Sequence, residues 1–195
     1  MNKLGAMHAA SFATDPKHLG FVLARYKFVS KMLVGVDSVL EIGCGDGTGA
    51  HVVLPVVTKY TGIDCDAGIL PSDGLVWRQW NIVTNAFPGT FDAVYALDVL
   101  EHISPKDEDR FFTHIKMSLK PRGFLIIGTP SLESQPYASS LSKLHHVNCK
   151  TEDGLRATLA CYFHNVFLFG MQDETLHCGY GPMTHYRLAL CACKR

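Results

Sequence analysis

The sequence predicts one α/β domain: a mostly parallel, seven-stranded sheet with a closing antiparallel strand and helices on both faces. Three observations carry that expectation. Val39, Leu40 and Ile42 make a short apolar run that ends in alternating glycines, Gly43, Gly45 and Gly47, as a buried strand entering a turn does. Phe91 to Leu97 is a second apolar run, and it ends in acid at Asp98. Around both, stretches with helical spacing alternate with short apolar runs, the pattern of strands joined by crossovers. Residues 1–34 read as an N-terminal helical cap and 35–195 as the core.

Composition narrows the function classes. A chain of 195 residues can bury one sizeable core. Lys+Arg and Asp+Glu both number 18, without the basic excess that a nucleic-acid partner usually leaves. The apolar runs fall far short of the ~20 residues of a membrane span, and Met1–Ala10 lacks the apolar centre of a secretory signal. Neither a nucleic-acid nor a membrane partner is expected. The seven cysteines are odd in number and form no C-x-x-C. They read as reduced thiols of a cytoplasmic protein, serving as small apolar residues, with no metal site among them.

The elements follow in order. Asp15-Pro16 starts a helix, with a capping carboxylate and proline at the first helical position. Leu19, Val22, Leu23, Tyr26, Val29 and Leu33 give it one apolar stripe. It can cover a ligand site, with Arg25 in reach and Tyr26 in the core. The glycine turn removes Cβ atoms from a ligand's path. With the helix N-terminus after it, the turn offers bare N–H groups that suit an anionic group. Pro55 should leave the first crossover helix short or kinked. Tyr60–Asp66 is the second strand, and Asp64 stands 21 residues past Gly43, where a carboxylate can accept two ribose hydroxyls. Gly68, Pro71 and Gly74 leave 67–75 without a full helix.

Val76–Val83 is the third strand, and Phe91–Asp98 the fourth. Ser104-Pro105 caps a helix whose buried face is Phe111, Phe112, Ile115 and Leu119. Phe124–Pro130 is the fifth strand. Ser131–Lys150, long and polar, is expected to act as a lid. Thr151 caps a helix with Leu155, Leu159 and Tyr162, and Val166–Met171 and His185–Cys193 pair as a closing hairpin.

A dinucleotide site wants a third glycine in register, but position 48 is threonine. The register Gly45, Gly47, Ala50 starts two residues late. Glu41-Ile-Gly43-Cys-Gly45-Asp-Gly47 instead resembles motif I of class I S-adenosylmethionine (SAM) methyltransferases. Ala86-Phe-Pro-Gly89, Phe91-Asp-Ala-Val and Asp98-Val-Leu-Glu101-His102-Ile resemble the strand-four segment of the type 11/12, ubiquinone-biosynthesis-like small-molecule group. His146-Val-Asn and Thr151–Phe167 resemble its tail.

The resemblance covers 35–193 and implies a Rossmann-like core, SAM as cofactor and methyl transfer to a small molecule, more readily at oxygen than at nitrogen or carbon. It implies cofactor contacts at Glu41, Gly43, Cys44, Gly45, Gly47, Asp64, Cys65, Asn81, Ile82, Leu97 and Asp98. Asn81 stands where relatives often carry aspartate. An alcohol acceptor needs a base, and His146, His145 and His102 are the candidates. A monomer or homodimer is expected. An NAD(P)-linked oxidoreductase and a non-catalytic SAM-binding protein are the alternatives.

Overall fold

Residues 6–66, 75–178 and 184–195 are described by a computed structural model. The chain opens with α1 (Ala6–Thr14) and α2 (Pro16–Met32). Between them Asp15 accepts the His18 N–H and Pro16 fills the first helical position, the start read from sequence. Leu19, Tyr26 and Val29 bury one face of α2, and Leu33 just beyond it.

The glycine turn follows β1 (Ser38–Ile42), whose five residues are all buried. Helix α3 (Ala50–Val53) gives way to a tighter turn at Leu54–Val56, because Pro55 cannot continue the hydrogen-bond ladder. Next come β2 (Lys59–Asp64) and β3 (Trp77–Gln79). The third strand is shorter than the expected 76–83. Asn81 turns the chain by accepting the Val83 N–H on its side chain at 2.9 Å and the Thr84 N–H on its carbonyl at 3.2 Å. The helix-free link expected at 67–75 falls, at 67–74, outside the described residues.

Strand β4 (Phe91–Leu97) is followed by α4 (Glu108–Met117) and β5 (Leu119–Pro130). Leu119 already pairs with Phe91, ahead of a register shift, so β5 begins before the expected Phe124. Segment 131–150 is not a plain loop. It carries α5 (Ser140–His145), capped by Ser139, and Ser131 bridges Lys150 to close its ends. Then come α6 (Glu152–Ala160), β6 (Phe163–Gln172), β7 (Thr175–His177) and β8 (Tyr186–Lys194).

The described strands number eight, in the order β3-β2-β1-β4-β5-β8-β6-β7. The first five are mutually parallel, and β8, β6 and β7 pair antiparallel. The strand beyond the expected seven is β7, a short return on the outer edge. Alternation splits the core. Leu40, Val94 and Ala96 face α4 and α6 through Phe112 and Leu155, while Val39, Ala93 and Tyr95 face α2 and α3 through Val29 and Val53. Parallel pairing brings the carboxyl ends of β1, β2, β3, β4 and β5 to one edge, where such sheets bind ligands.

Candidate functional site

At that edge the glycine turn is held from below by a buried carboxylate. Glu41, 1% exposed, accepts the hydroxyls of Tyr26 at 2.7 Å, Tyr95 at 2.7 Å and Tyr60. Burial pushes its carboxyl above the ordinary range, and the three phenol bonds pull the other way. The turn bends through positive φ at Gly43 (74°). A Cβ there would come within 2.4 Å of the Val99 side chain, so no larger residue fits.

The expected row of free N–H donors is not what the turn offers. Gly43 and Cys44 both donate to the Ile63 carbonyl, Gly47 donates to the Cys44 carbonyl, and Gly45 donates to Asp64 at 3.0 Å. With these donors spent and α3 a single turn long, the turn contributes a Cβ-free surface rather than an anion cradle.

A pocket of about 380 Å³ opens above this surface. Its floor is Gly43, Cys44 and Gly45, and Leu97, Asp98, Glu101 and His102 form the wall after β4. His8, His18, Val22, Arg25 and Tyr26 close it from the cap, and Ser142 and His146 from segment 131–150. Besides the Tyr26–Glu41 bond, two polar contacts among the described residues fasten the cap. His8 Nδ1 lies 2.7 Å from Asp46 in the glycine turn, and its backbone N–H reaches the same carboxylate at 3.1 Å. Arg25 reaches both Asp98 oxygens at 2.8 Å and lies 3.8 Å over the Tyr186 ring. Asp98 adopts φ 56°, an uncommon backbone state for a residue with a Cβ, which its N–H bond to the Gly128 carbonyl accompanies.

The wall holds a second buried acid. Glu101, also 1% exposed, accepts the Thr129 hydroxyl at 3.1 Å and its own backbone N–H. Burial and the charge of Asp98 push its carboxyl up to about 8. Its backbone carbonyl accepts the N–H groups of Val147 and Asn148 at 2.8 and 3.1 Å, which ties the end of segment 131–150 to this residue. His102 and His146 meet edge to face with centroids 5.2 Å apart. Burial and the His102 charge lower the basicity of His146.

Of the residues singled out from sequence, Gly43, Cys44, Gly45, Leu97, Asp98, His102 and His146 meet in this pocket. Asp64 adjoins it through Gly45, and Cys65 and Asn81 line a shallow hollow of about 220 Å³ on its far side. Ile82 is buried, and its carbonyl accepts from His114. Glu41 and Gly47 lie outside the pocket lining and act on it through the shape of the turn. His145 points its ring to solvent, and only its carbonyl reaches His102. Sequence reasoning missed His8 and His18, which no local pattern marks. It also passed over Glu101, although that residue stands inside the quoted strand-four signature. A wider groove of about 570 Å³ on the outer face of α2 holds no strand-end residue.

Residues 16–168 match the family model described as a methyltransferase domain. A probable SAM-dependent methyltransferase of Mycolicibacterium smegmatis is 28% identical over 112 residues, which cover 54% of this chain and 42% of that protein. The chain thus spans less than half the length of that relative. Among solved structures, a SAM-dependent methyltransferase of Archaeoglobus fulgidus superposes with a TM-score of 0.72 at 12% identity, over 97% of this chain and 100% of that one. The N-methyltransferase NodS of Bradyrhizobium japonicum, bound to S-adenosyl-L-homocysteine, gives 0.64 at 18% identity over 90% and 85%. At these identities the structural likeness shows the fold alone.

Proposed function

The chain belongs to the SAM-dependent methyltransferase family, and on that premise we propose that it moves a methyl group to a hydroxyl oxygen of a small-molecule acceptor. The observation that carries this reading is the pocket above the glycine turn, walled by two histidines and closed by the cap. The residues present fit SAM. The Cβ-free turn takes the bulk of the ligand, and the pocket and the hollow beside it flank Asp64. Asp64 already accepts the Gly45 and Asp66 N–H groups, and a carboxylate has capacity for further donors, here the ribose hydroxyls. Cys65, Asn81 and Ile82 take the adenine end, with Leu97 and Asp98 beside the sulfonium.

SAM, when bound, supplies a methyl group that is already activated, so the chain's own work is positioning and exclusion of water. The cap and segment 131–150 close the pocket, and Arg25 fixes Asp98 in its wall. The Nδ1 atoms of His102 and His146 face carbonyl oxygens, so Nε2 keeps the lone pair that can take the acceptor's proton. His145 supports His102 through its carbonyl. An amine acceptor is the second reading, favoured by the carboxylates of Asp98 and Glu101. No helix among the described residues is long and apolar enough to cross a membrane. We propose a cytoplasmic monomer or homodimer without a nucleic-acid or membrane partner, in keeping with the balanced charge of the sequence.

Calorimetry with SAM tests the binding half. Asp64→Ala should weaken SAM about ten- to hundredfold, since bonds to a charged group contribute about 1.5–3 kcal/mol. An unchanged dissociation constant would remove Asp64 from the site. Labelled methyl transfer to matched alcohols and amines tests the rest. Product on the amine alone moves the assignment to nitrogen, and SAM binding with no product on either leaves a non-catalytic binder.

A further inference from the structure

Three potential ligand groups converge in the pocket wall from two parts of the chain. Glu101 and His102 stand on the tight turn after β4, and His146 ends α5. One carboxylate oxygen of Glu101 and one ring nitrogen of each histidine all lie within 4.8 Å of one another. Around a single ion, that spacing brings three ligands into one coordination sphere.

Each imidazole has its Nδ1 engaged, which leaves Nε2 to bind a cation. His102 Nδ1 lies 3.1 Å from the His145 carbonyl oxygen, and His146 Nδ1 lies 2.9 Å from Gln135 Oε1. Both partners are oxygen acceptors, so both Nδ1 atoms carry hydrogen and both Nε2 atoms carry a lone pair. The Gln135 amide is itself oriented, because its Nε2 donates to the Ser131 carbonyl at 3.2 Å. Outer bonds of this kind aim metal-binding histidines in general and raise their basicity as ligands. Glu101 completes the set. Thr129 is a neutral partner and the nearby Arg25 gives its hydrogen bonds to Asp98, so the Glu101 carboxyl keeps capacity for a further ligand.

We propose that Glu101, His102 and His146 bind a divalent transition-metal ion, with its remaining positions open to the acceptor oxygen. Two imidazoles and one carboxylate suit manganese, iron, cobalt or zinc better than magnesium or calcium, which prefer all-oxygen sites. Three protein ligands leave positions for water or substrate. The site deepens the oxygen-acceptor reading and rests on it for its chemistry. The metal draws charge from the acceptor hydroxyl, and its proton leaves to solvent. The oxygen's electron pair forms the new O–C bond as the methyl–sulfur bond breaks, and that pair stays on sulfur to give the neutral thioether. In this form the two histidines hold the metal instead of taking the proton.

The test needs neither SAM nor acceptor. Untagged protein is stripped with chelator, dialysed and titrated with Mn²⁺, followed by the electron paramagnetic resonance of free Mn²⁺. Co²⁺ is titrated in parallel and followed by its visible absorption. One ion per chain is expected, weakened at least about tenfold in His102→Ala and His146→Ala and unchanged in His164→Ala, an exposed control. The Co²⁺ spectrum should lack a thiolate charge-transfer band. Absence of stoichiometric binding overturns the proposal, as does binding that His102→Ala leaves intact or that shows thiolate ligation. His102 is exposed, so its alanine variant folds even if the buried positions tolerate no change. If metal binds and only amines are methylated, the site stands and the oxygen reading falls. If oxygen methylation persists in chelator without bound metal, the reading stands and the site falls.

Discussion

Glu41 near the end of β1 and Glu101 on the turn after the neighbouring β4 are equally buried, yet the fold treats them oppositely. Glu41 receives three tyrosine hydroxyls, so its cost of burial is offset within the fold. Glu101 receives one threonine hydroxyl and its own backbone N–H, and the like charge of Asp98 acts on it against the weaker pull of Arg25. Burial alone therefore does not mark a functional acid. What distinguishes the two is whether the surroundings have satisfied the carboxylate, and only Glu101 opens into the pocket. One acid builds the turn, and the other faces the pocket.

The sharpest way to break this comparison is to neutralise each acid. Glu101→Gln should cut turnover about 10²–10³-fold, the loss seen when one preorganised polar group is removed from an active site. Its melting midpoint should stay level or rise, because an amide avoids the cost of ionising a buried carboxyl and can still accept the Thr129 hydroxyl. A lower midpoint with turnover retained would make Glu101 a structural acid like Glu41. Glu41→Ala should do the reverse. It strands three buried hydroxyls at about 1–3 kcal/mol each, so roughly 3 kcal/mol or more of stability should go. The shift would be read as a lower denaturant midpoint at constant slope. If stability survives that change, the tyrosine cluster is not what holds the turn.

The smallest effect concerns the acid between them in the chain. Burial opposes ionisation of Asp46, but bonds from His8 and Thr48 outweigh it and hold its carboxyl well below the usual range. A lowered folded-state pKa contributes stability that is present above the unfolded value, about 3.9, and is lost as pH falls through the folded one. The melting-temperature deficit of Asp46→Asn should therefore be steady near neutrality and shrink in acid. A deficit that grows on acidification would show that the His8 contact does not depend on the carboxylate.

Local chemistry made much of this fold legible. Asp15-Pro16, the glycine alternation and Pro55 each constrain the backbone by covalent geometry, and each appears where the sequence placed it. The pairing of β6 with β8 followed from alternating apolar residues. Misreadings arose where a side chain competes with the sheet or a distant partner decides. Third-strand periodicity ran to Val83, but the side chain of Asn81 outcompetes the sheet for the Val83 N–H. The six-residue α5 is too short to form on propensity alone, and it persists because the closed ends of segment 131–150 hold it in place. The bare donors expected of the glycine turn are taken by Ile63 and Asp64, one strand away. His102 and His146 stand 44 residues apart, and nothing in either neighbourhood announces that they meet.

The carbonyl of Glu101 accepts both Val147 and Asn148, while its side chain faces the pocket. One residue thus couples the return of segment 131–150 to whatever occupies the carboxylate. Opening that segment and emptying the wall then become linked equilibria. A ligand that favours the closed arrangement by a given factor must lower the open population by the same factor, and a substitution that frees the segment must weaken that ligand in proportion. Entry to the pocket and affinity within it are tuned together at one peptide unit.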